Sequence, residues 1–174
     1  QANCHWLLGY LDHLDHRHDA ARRAVLRALS LLRRPDSDLH AQANCYWTLG
    51  EIEADRQAHT AARAYYERAR ALYARSGSRL GICNTLNSLG WLALQRGQPA
   101  TARRYYVESL ELAEALNARL TIANLQTDLG RVHEQLRAFD AAADHYTRAD
   151  VGHLAIQNPL DAANARIRLA RIER

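Results

Sequence analysis

Residues 86–116 read LNSLGWLALQRGQPATARRYYVESLELAEAL, and this stretch contains the pattern that decides the fold. Its pair Leu89-Gly90 recurs along the chain, and the corresponding pairs are Leu8-Gly9, Leu49-Gly50, Leu129-Gly130 and the variant Leu169-Ala170. The second members of successive pairs are 41, 40, 40 and 40 residues apart. A fixed step of this length indicates a repeat protein, in which each repeat is one supersecondary unit.

Four further register positions keep the same step and indicate paired helices. Two positions after the Gly stand Leu11, Ile52, Leu92, Val132 and Ile172, and twelve after it stand Ala21, Ala62, Ala102 and Ala142. Sixteen after it stand Val25, Tyr66, Tyr106 and Tyr146, and nineteen after it stand Ala28, Ala69, Ser109 and Ala149. Small residues two turns apart let a neighbouring helix approach closely, and the large residue between them fills the adjoining space. Each repeat is therefore predicted to be a helix A that carries Leu-Gly, a turn, and a helix B that carries the Ala and Tyr positions.

The register also predicts the helix and repeat boundaries. The A helices are predicted at residues 1–15, 39–55, 79–95, 119–135 and 159–173, and the B helices at 17–33, 58–75, 98–116 and 139–154. Helix-start residues precede three A helices, namely Pro35-Asp36-Ser37-Asp38, Ser76-Gly77-Ser78 and Asn158-Pro159. No strand is expected, so the predicted fold class is all-α, with four full repeats plus a fifth A helix. We interpret the chain as one array from a larger protein, with repeats at about 1–38, 39–78, 79–118 and 119–158 and a partial repeat at 159–174.

The composition argues against several classes of protein. No stretch approaches the roughly 18 consecutive apolar residues of a membrane-spanning helix, so no membrane contact is expected. All 23 basic residues are Arg, and most are interleaved with Asp and Glu rather than gathered in the stripe that a nucleic-acid surface needs. The three cysteines, Cys4, Cys45 and Cys83, have no CxxC spacing, which argues against a disulfide framework and favours a reducing, cytoplasmic location.

The spacing of Leu-Gly, Ala, Tyr and Ala resembles the tetratricopeptide repeat over the whole chain. Residues 86–116 are similar to the long repeats found in arrays of bacterial multidomain regulators, including LuxR-type and other ATP-dependent transcription regulators. The resemblance implies a right-handed α-solenoid of antiparallel helix pairs, with a concave wall formed by the A helices. It also implies a protein-interaction or sensor module rather than an enzyme.

One polar residue type keeps a fixed register in helix A. Six positions before each Gly, and before Ala170, stand Asn3, Asn44, Asn84, Asn124 and Asn164. Asn is disfavoured in the middle of a helix, so some interaction must offset that cost at every site. In one interpretation each amide bonds to an adjoining helix and aligns the stack. In the other the amides form a ladder that pairs with the C=O and N–H groups of an extended peptide, as the resemblance also implies.

Two positions that share this helix face vary from repeat to repeat. Three positions after the Asn stand Trp6, Trp47, Asn87, Thr127 and Ile167, and seven after it stand Tyr10, Glu51, Trp91, Arg131 and Arg171. Aromatic residues and Arg commonly carry the binding energy of interfaces. We therefore predict a peptide-binding groove that is aromatic in its amino-terminal half and basic in its carboxy-terminal half. The alternative for Trp6 and Trp47 is packing between helices A and B.

The predicted ligand is an extended peptide or protein segment with apolar side chains toward one end and an acidic group toward the other. Other domains of the same protein are further expected partners. Two alternatives stay open, namely an architectural role in self-association or interdomain packing and the sensing of a small-molecule inducer. Nucleic-acid binding through Arg166, Arg168, Arg171 and Arg174 is disfavoured, because it would require a surface dominated by unpaired positive charge.

Metal binding and catalysis have little support in the sequence. His13 and His16, three positions apart in a predicted helix, could share a metal ion with Asp12 or Asp15. No second cluster completes a four-ligand set, so neither a metal nor another cofactor is predicted. The chain has no G-x-S-x-G motif, no Gly-rich phosphate loop and no H-E-x-x-H motif, and no catalytic residue is predicted.

Overall fold

The computed structural model describes residues 1–32 and 38–172, and these residues form nine α-helices and no strand. In chain order the helices are α1 (Ala2–Leu14), α2 (His18–Leu31), α3 (Leu39–Asp55), α4 (His59–Arg75), α5 (Arg79–Gln95), α6 (Pro99–Ala115), α7 (Arg119–Gln135), α8 (Phe139–Ala155) and α9 (Pro159–Ile172). Odd-numbered helices are the predicted A helices, even-numbered ones are the B helices, and each end lies within two residues of its predicted position. The all-α solenoid of helix pairs is therefore confirmed. No helix in the described ranges combines the length and the apolar character needed to cross a membrane.

Polar side chains begin several A helices, as the sequence predicts. The carboxylate of Asp38 accepts hydrogen bonds from the backbone N–H groups of His40 (2.8 Å) and Ala41 (3.1 Å) at the start of α3. Asn158 precedes Pro159 at the start of α9, and its side-chain oxygen accepts from the N–H of Asp161 at 3.4 Å. The other proposed helix-start residues of the first connection, Pro35, Asp36 and Ser37, lie outside the described residues.

The described turns between helices each contain one residue in the left-handed region, although only two of these residues are glycines. The residues with positive φ are His16, Gln57, Gly77, Gly97, Asn117, Arg137 and Gln157. After α1 the N–H of Arg17 donates to the carbonyl of Asp12 at 2.8 Å, the bond that closes a Schellman-type helix end. His16 therefore lies beyond the end of α1, and the expectation that it shares a helix face with His13 is wrong.

The helices form two compact units. Unit 1 comprises residues 1–88, which include α1 to α4 and the first part of α5. Unit 2 begins at residue 89 and contains the rest of α5 and α6 to α9.

In unit 1 the glycine of each Leu-Gly pair is the point of contact with helix B. A Cβ atom on Gly50 would lie 2.4 Å from the ring of Tyr66, and one on Gly9 would lie 2.5 Å from a methyl group of Val25. Real Cβ atoms do not make contacts this short. The large residue sixteen positions after the Gly thus packs directly on it, which explains why both positions keep their register.

Unit 2 repeats this contact twice. A Cβ atom on Gly90 would lie 2.7 Å from the ring of Tyr106, and one on Gly130 would lie 2.5 Å from the ring of Tyr146. Both rings are fully buried. The same pairing of Gly with Tyr therefore joins helix A to helix B in both units.

The apolar position two residues after the Gly is not buried in every repeat. Ile52, Leu92 and Val132 are buried as predicted, whereas Leu11 is 56% exposed. Ile52 belongs to a core cluster with Val25 of the preceding helix B, and Leu11 belongs to α1, the first described helix. Burial at this position depends on contact with the helix B of the preceding repeat. The sequence pattern of a single repeat does not show whether that contact is present.

Candidate ligand-binding surface

The five asparagines of the A-helix register differ in their surroundings. Asn44 is half-buried, and its side-chain oxygen accepts a 2.6 Å hydrogen bond from the hydroxyl of Tyr73 on α4. The other four are exposed, namely Asn3, Asn84, Asn124 and Asn164. The position of Tyr73 is taken by Leu32, Ala113 and His153 in the other repeats, so its hydroxyl is specific to the second repeat. At Asn44 this hydrogen bond therefore supports the interpretation that the amide aligns neighbouring helices.

The aromatic residues predicted for the amino-terminal half meet on unit 1. The Trp6 and Tyr10 rings of α1 are stacked with centroids 6.0 Å apart, and Tyr10 lies 6.3 Å from the ring of Trp47 on α3. All three side chains are half-buried. They form a continuous aromatic surface, so each offers part of its ring to solvent while the rest packs on a neighbouring ring. We call Trp6, Tyr10 and Trp47 the aromatic cluster.

Each indole of the aromatic cluster is anchored to the next A helix. The N–H of Trp6 donates to the Thr48 hydroxyl on α3 at 2.9 Å, and the N–H of Trp47 donates to the Ser88 hydroxyl on α5 at 3.2 Å. The two tryptophans therefore link successive A helices. Both also pack on core clusters that contain residues of helix B of their own repeats, so the alternative of packing between helices A and B is confirmed as well. Thr48 and Ser88 occupy one register position, two residues before the Gly, and this shared hydroxyl was the available signal that our sequence analysis missed.

Glu51 extends this network into a partly buried carboxylate. It accepts hydrogen bonds from the hydroxyls of Tyr66 at 2.7 Å and Ser88 at 2.8 Å. Burial raises the pKa of the Glu51 carboxyl above its ordinary value, and these two hydrogen bonds act in the opposite direction. Glu51 is thus both a predicted surface residue and part of the internal support of unit 1.

The predicted site residues of unit 2 are more polar. Arg131 lies 3.2 Å from the carboxylate of Asp128, one turn earlier on α7, so part of its charge is compensated. Arg171 is exposed near the end of α9, whereas Trp91 is half-buried. Among the arginines considered for nucleic acid, Arg166 pairs with Asp150 (2.9 Å) and Arg168 lies 3.6 Å from Glu134; Arg174 is outside the described residues.

Histidines and a carboxylate that could hold a metal ion meet on unit 1, but not in the combination that the sequence suggests. His13, His18 and Asp55 each offer one ligand atom, and these three atoms lie within 4.8 Å of one another. Asp12 instead pairs with Arg17 at 2.7 Å. The Asp55 contribution comes from the next repeat, 37 residues from His18, and spacing within a single segment could not reveal it.

Cys45 does not resemble a catalytic nucleophile. Burial raises the pKa of the Cys45 thiol to about 12, so the thiol is protonated at neutral pH. Cys4 is an exposed free thiol on α1.

A family model described as the tetratricopeptide repeat matches residues 41–115. This match begins in α3 and ends with α6, so it includes the contacts of Gly50 with Tyr66 and of Gly90 with Tyr106. Residues 41–115 are therefore similar to the tetratricopeptide repeat, and helix pairs of the same kind lie on both sides of them. No protein of curated function matches the sequence of this chain significantly.

Several solved structures share the fold of this chain. Aspartyl phosphate phosphatase F from Bacillus subtilis superposes with a TM-score of 0.91 at 11% identity, covering 96% of this chain and 44% of that one. A signal transduction ATPase with numerous domains and a tetratricopeptide repeat sensor, from Pyrococcus horikoshii, gives 0.85 at 17% identity, covering 97% of this chain and 26% of that one. The Rap conjugation gene regulator of plasmid pLS20, solved with the Phr* peptide, gives 0.72 at 15% identity, covering 97% and 52%. The array thus spans about half or less of each of these three proteins.

Proposed function

We propose that the array is a protein-interaction module that binds an extended peptide or protein segment on the exposed face of its A helices. The observation that carries this proposal is the exposure of four of the five register asparagines. An exposed Asn in the middle of a helix costs stability relative to Ala, by a few tenths of a kcal/mol up to about 0.7 kcal/mol. Binding to a peptide backbone supplies a reason for the same residue to recur at this register, since the amide offers both an acceptor and donors.

The aromatic cluster supports a second part of the proposal. In unit 1 the half-exposed rings of Trp6, Tyr10 and Trp47 would receive apolar side chains of the partner. Their indole N–H groups already have acceptors, so the rings are held in place before a ligand arrives. Such preorganisation lowers the entropic cost of binding.

Unit 2 would recognise a different group. Arg171 is exposed and Arg131 is partly compensated by Asp128, so we assign the main basic contact, to an acidic side chain or a carboxylate, to Arg171. A structural neighbour was solved with a peptide, which is consistent with this type of ligand for the fold. We further propose that the array belongs to a bacterial regulatory or signalling protein and acts in the cytoplasm.

The test is selection of peptides from a displayed random library on the purified array, followed by titration of the selected peptides. The double variant Asn84→Ala with Asn124→Ala should lower affinity at least about tenfold, about 1.4 kcal/mol, because two exposed amides are lost. Its helicity and Tm should equal or slightly exceed the wild-type values, since both side chains are exposed and Ala is the better helix former. Unchanged affinity of every selected peptide would refute the ladder.

A matched control is available at the buried member of the register. Asn44→Ala removes the acceptor of the Tyr73 hydroxyl, so it should lower the Tm whatever its effect on binding. Glu108→Ala, an exposed change on the B helix α6, should alter neither affinity nor Tm. Trp47→Ala should weaken binding of peptides with apolar side chains more than binding of polar ones.

A second candidate function, self-association, has one observation in its favour. Four leucines of α1 are between 50% and 56% exposed, namely Leu7, Leu8, Leu11 and Leu14. Such a surface favours contact with another helix, which a second copy of the chain or a further part of the same protein can supply. Sedimentation over a range of concentrations distinguishes the two functions, since a monomer that binds selected peptides favours the first and a concentration-dependent dimer favours the second.

A further inference from the structure

Three helices of unit 1 bring metal-ligating side chains to one point. His13 lies in the last turn of α1, His18 is the first residue of α2, and Asp55 is the last residue of α3. The short turn after α1 reverses the chain, so the two imidazole rings lie close together, with centroids 6.2 Å apart and planes tilted by 50°. His13 Nδ1 lies 3.6 Å from Asp55 Oδ2. That separation is close to the roughly 3.4 Å between two ligands of a tetrahedral ion whose bonds are about 2.0–2.1 Å long.

One ring nitrogen of each histidine lacks a hydrogen bond. The Nδ1 atoms of His13 and His18 are buried, and neither has a hydrogen-bond partner among the described residues. The 3.6 Å approach of Asp55 is too long for a hydrogen bond. Buried polar atoms are nearly always satisfied, and an ion is one of the few explanations when the protein supplies no partner.

The charges around the cluster favour a cation. The carboxylate of Glu51 is near enough to interact electrostatically with both His13 and Asp55. The neighbouring positive groups are neutralised, because Arg17 pairs with Asp12 at 2.7 Å and Arg56 pairs with Asp19 at 2.7 Å. A divalent ion would therefore enter a region whose nearby Arg charges are already compensated.

Packing of the repeat does not demand His13 or Asp55. The positions of His13 and His18 are taken by Ala54 and His59 in the second repeat, and the position of Asp55 is taken by Gln95 in the third. The skeleton recurs in those repeats without the ligand set. The three residues come together only where α1, α2 and α3 meet. A combination that occurs once is expected of a binding site, whereas residues needed for packing would recur in every repeat.

We propose that His13, His18 and Asp55 bind a first-row divalent transition-metal ion, with Zn²⁺ as its natural probe. Imidazole nitrogen and carboxylate oxygen are ligands that Zn²⁺ accepts in tetrahedral sites. The half-exposed carboxylate of Asp55, 40% accessible, leaves the fourth position to water or to a ligand from solution. Because the three ligands come from α1, α2 and α3, the ion would fasten the first repeat to the second and stabilise unit 1.

The experiment is titration of the tag-free, chelator-treated chain with ZnCl₂ by calorimetry, with Co²⁺ as a spectroscopic probe of tetrahedral geometry. We expect one high-affinity equivalent and the visible absorption of tetrahedral cobalt. At a free Zn²⁺ concentration about one hundred times the Kd, the Tm should rise by about 5–10 °C. His18→Ala and Asp55→Asn should each weaken Zn²⁺ binding at least about tenfold and remove about half or more of that rise in Tm.

The matched control is His59→Ala. His59 begins α4 as His18 begins α2, but it has no place in the cluster, so its replacement should leave Zn²⁺ affinity unchanged. His16→Ala is the second control, because His16 borders His18 and belongs to the ligand set that the sequence alone suggests. Circular dichroism of each metal-free variant verifies folding, and Asp55→Asn alters a half-exposed residue that the fold should tolerate. The proposal is overturned by absence of uptake, by uptake that survives both ligand variants, or by uptake that needs His16 and not Asp55.

Discussion

Units 1 and 2 share one packing skeleton but use the residues around it differently. The rings of Tyr66 in unit 1 and of Tyr106 and Tyr146 in unit 2 cover the Gly of helix A in the same way. Their hydroxyls have three different environments. Tyr66 donates to Glu51 at 2.7 Å, Tyr146 donates to Glu134 at 2.8 Å, and Tyr106 has no hydrogen-bond partner among the described residues.

The A-helix faces differ even more. In unit 1 the aromatic cluster is joined to hydroxyl groups of the next A helix. In unit 2 the described contacts of the corresponding region include the charged pairs Arg131 with Asp128 and Arg168 with Glu134. The contact of a ring with the Gly of helix A is therefore the shared structural feature of the repeats. The side chains around that contact differ between the units and can serve different roles.

The largest effect is expected from breaking the shared skeleton. Gly130→Ala in unit 2 places a Cβ atom 2.5 Å from the ring of Tyr146. Although Ala is the better helix former by about 1 kcal/mol, the forced overpacking should lower the free energy of unfolding by about 1–3 kcal/mol. Urea unfolding followed by circular dichroism measures this difference.

Gly152→Ala on α8 is the matched control within unit 2. Its added Cβ atom would lie 3.1 Å from the Cβ of Ala123, a tight contact that a shift of a few tenths of an ångström relieves. The gain in helix propensity should offset most of that strain, so stability should change by less than about 1 kcal/mol. Equal losses in both variants would contradict the special role of the ring-on-glycine contact.

A smaller effect should separate the tyrosines that share one register. Tyr66→Phe removes a donor from the partly buried Glu51 carboxylate and should cost about 1–2 kcal/mol of unfolding free energy. Tyr106→Phe removes a buried hydroxyl that has no partner, so it should be neutral or slightly stabilising. Chemical unfolding of the two variants side by side checks the sign, and a loss in Tyr106→Phe equal to that in Tyr66→Phe would show that the hydroxyl environments do not differ.

The sequence predicts the skeleton well because it depends on residues that recur. The fixed positions of Gly50 and Tyr66 imply their contact, and the helix ends follow from the same register. The surface is harder to predict, since it depends on partners from other helices. Asn44 and Asn84 occupy the same register position in the sequence. Only Asn44 accepts a structural hydrogen bond from the hydroxyl of Tyr73, and its register position does not reveal that partner. The metal cluster was missed for the same reason, because Asp55 lies in the next repeat.

The smallest effects, and the sharpest test of the contrast between the units, lie in the pH dependence of stability. Burial raises the pKa of Glu51 in unit 1, so the folded chain holds this proton more strongly than the unfolded chain does. Its contribution to stability is therefore lost as the pH rises from its ordinary pKa of 4.5 through the raised value. In Glu51→Gln this loss is absent, and the stability of the variant relative to wild type should rise with pH across that window.

In unit 2 the sign is opposite. His145 stacks on His133 with ring centroids 5.1 Å apart, and its Nδ1 lies 2.7 Å from the side-chain oxygen of Gln126. Burial first, then the charges of His133 and Arg148, lower the pKa of His145, so stability is lost as the pH falls below 6.5 through the lowered value. The stability of His145→Gln relative to wild type should therefore increase as the pH falls. That of Glu51→Gln should increase as the pH rises. Urea midpoints between pH 4 and pH 8 (a range of about 4 pH units that spans both ordinary pKa values) check the two slopes, and slopes of the same sign would mean that one of the two environments has been misassigned.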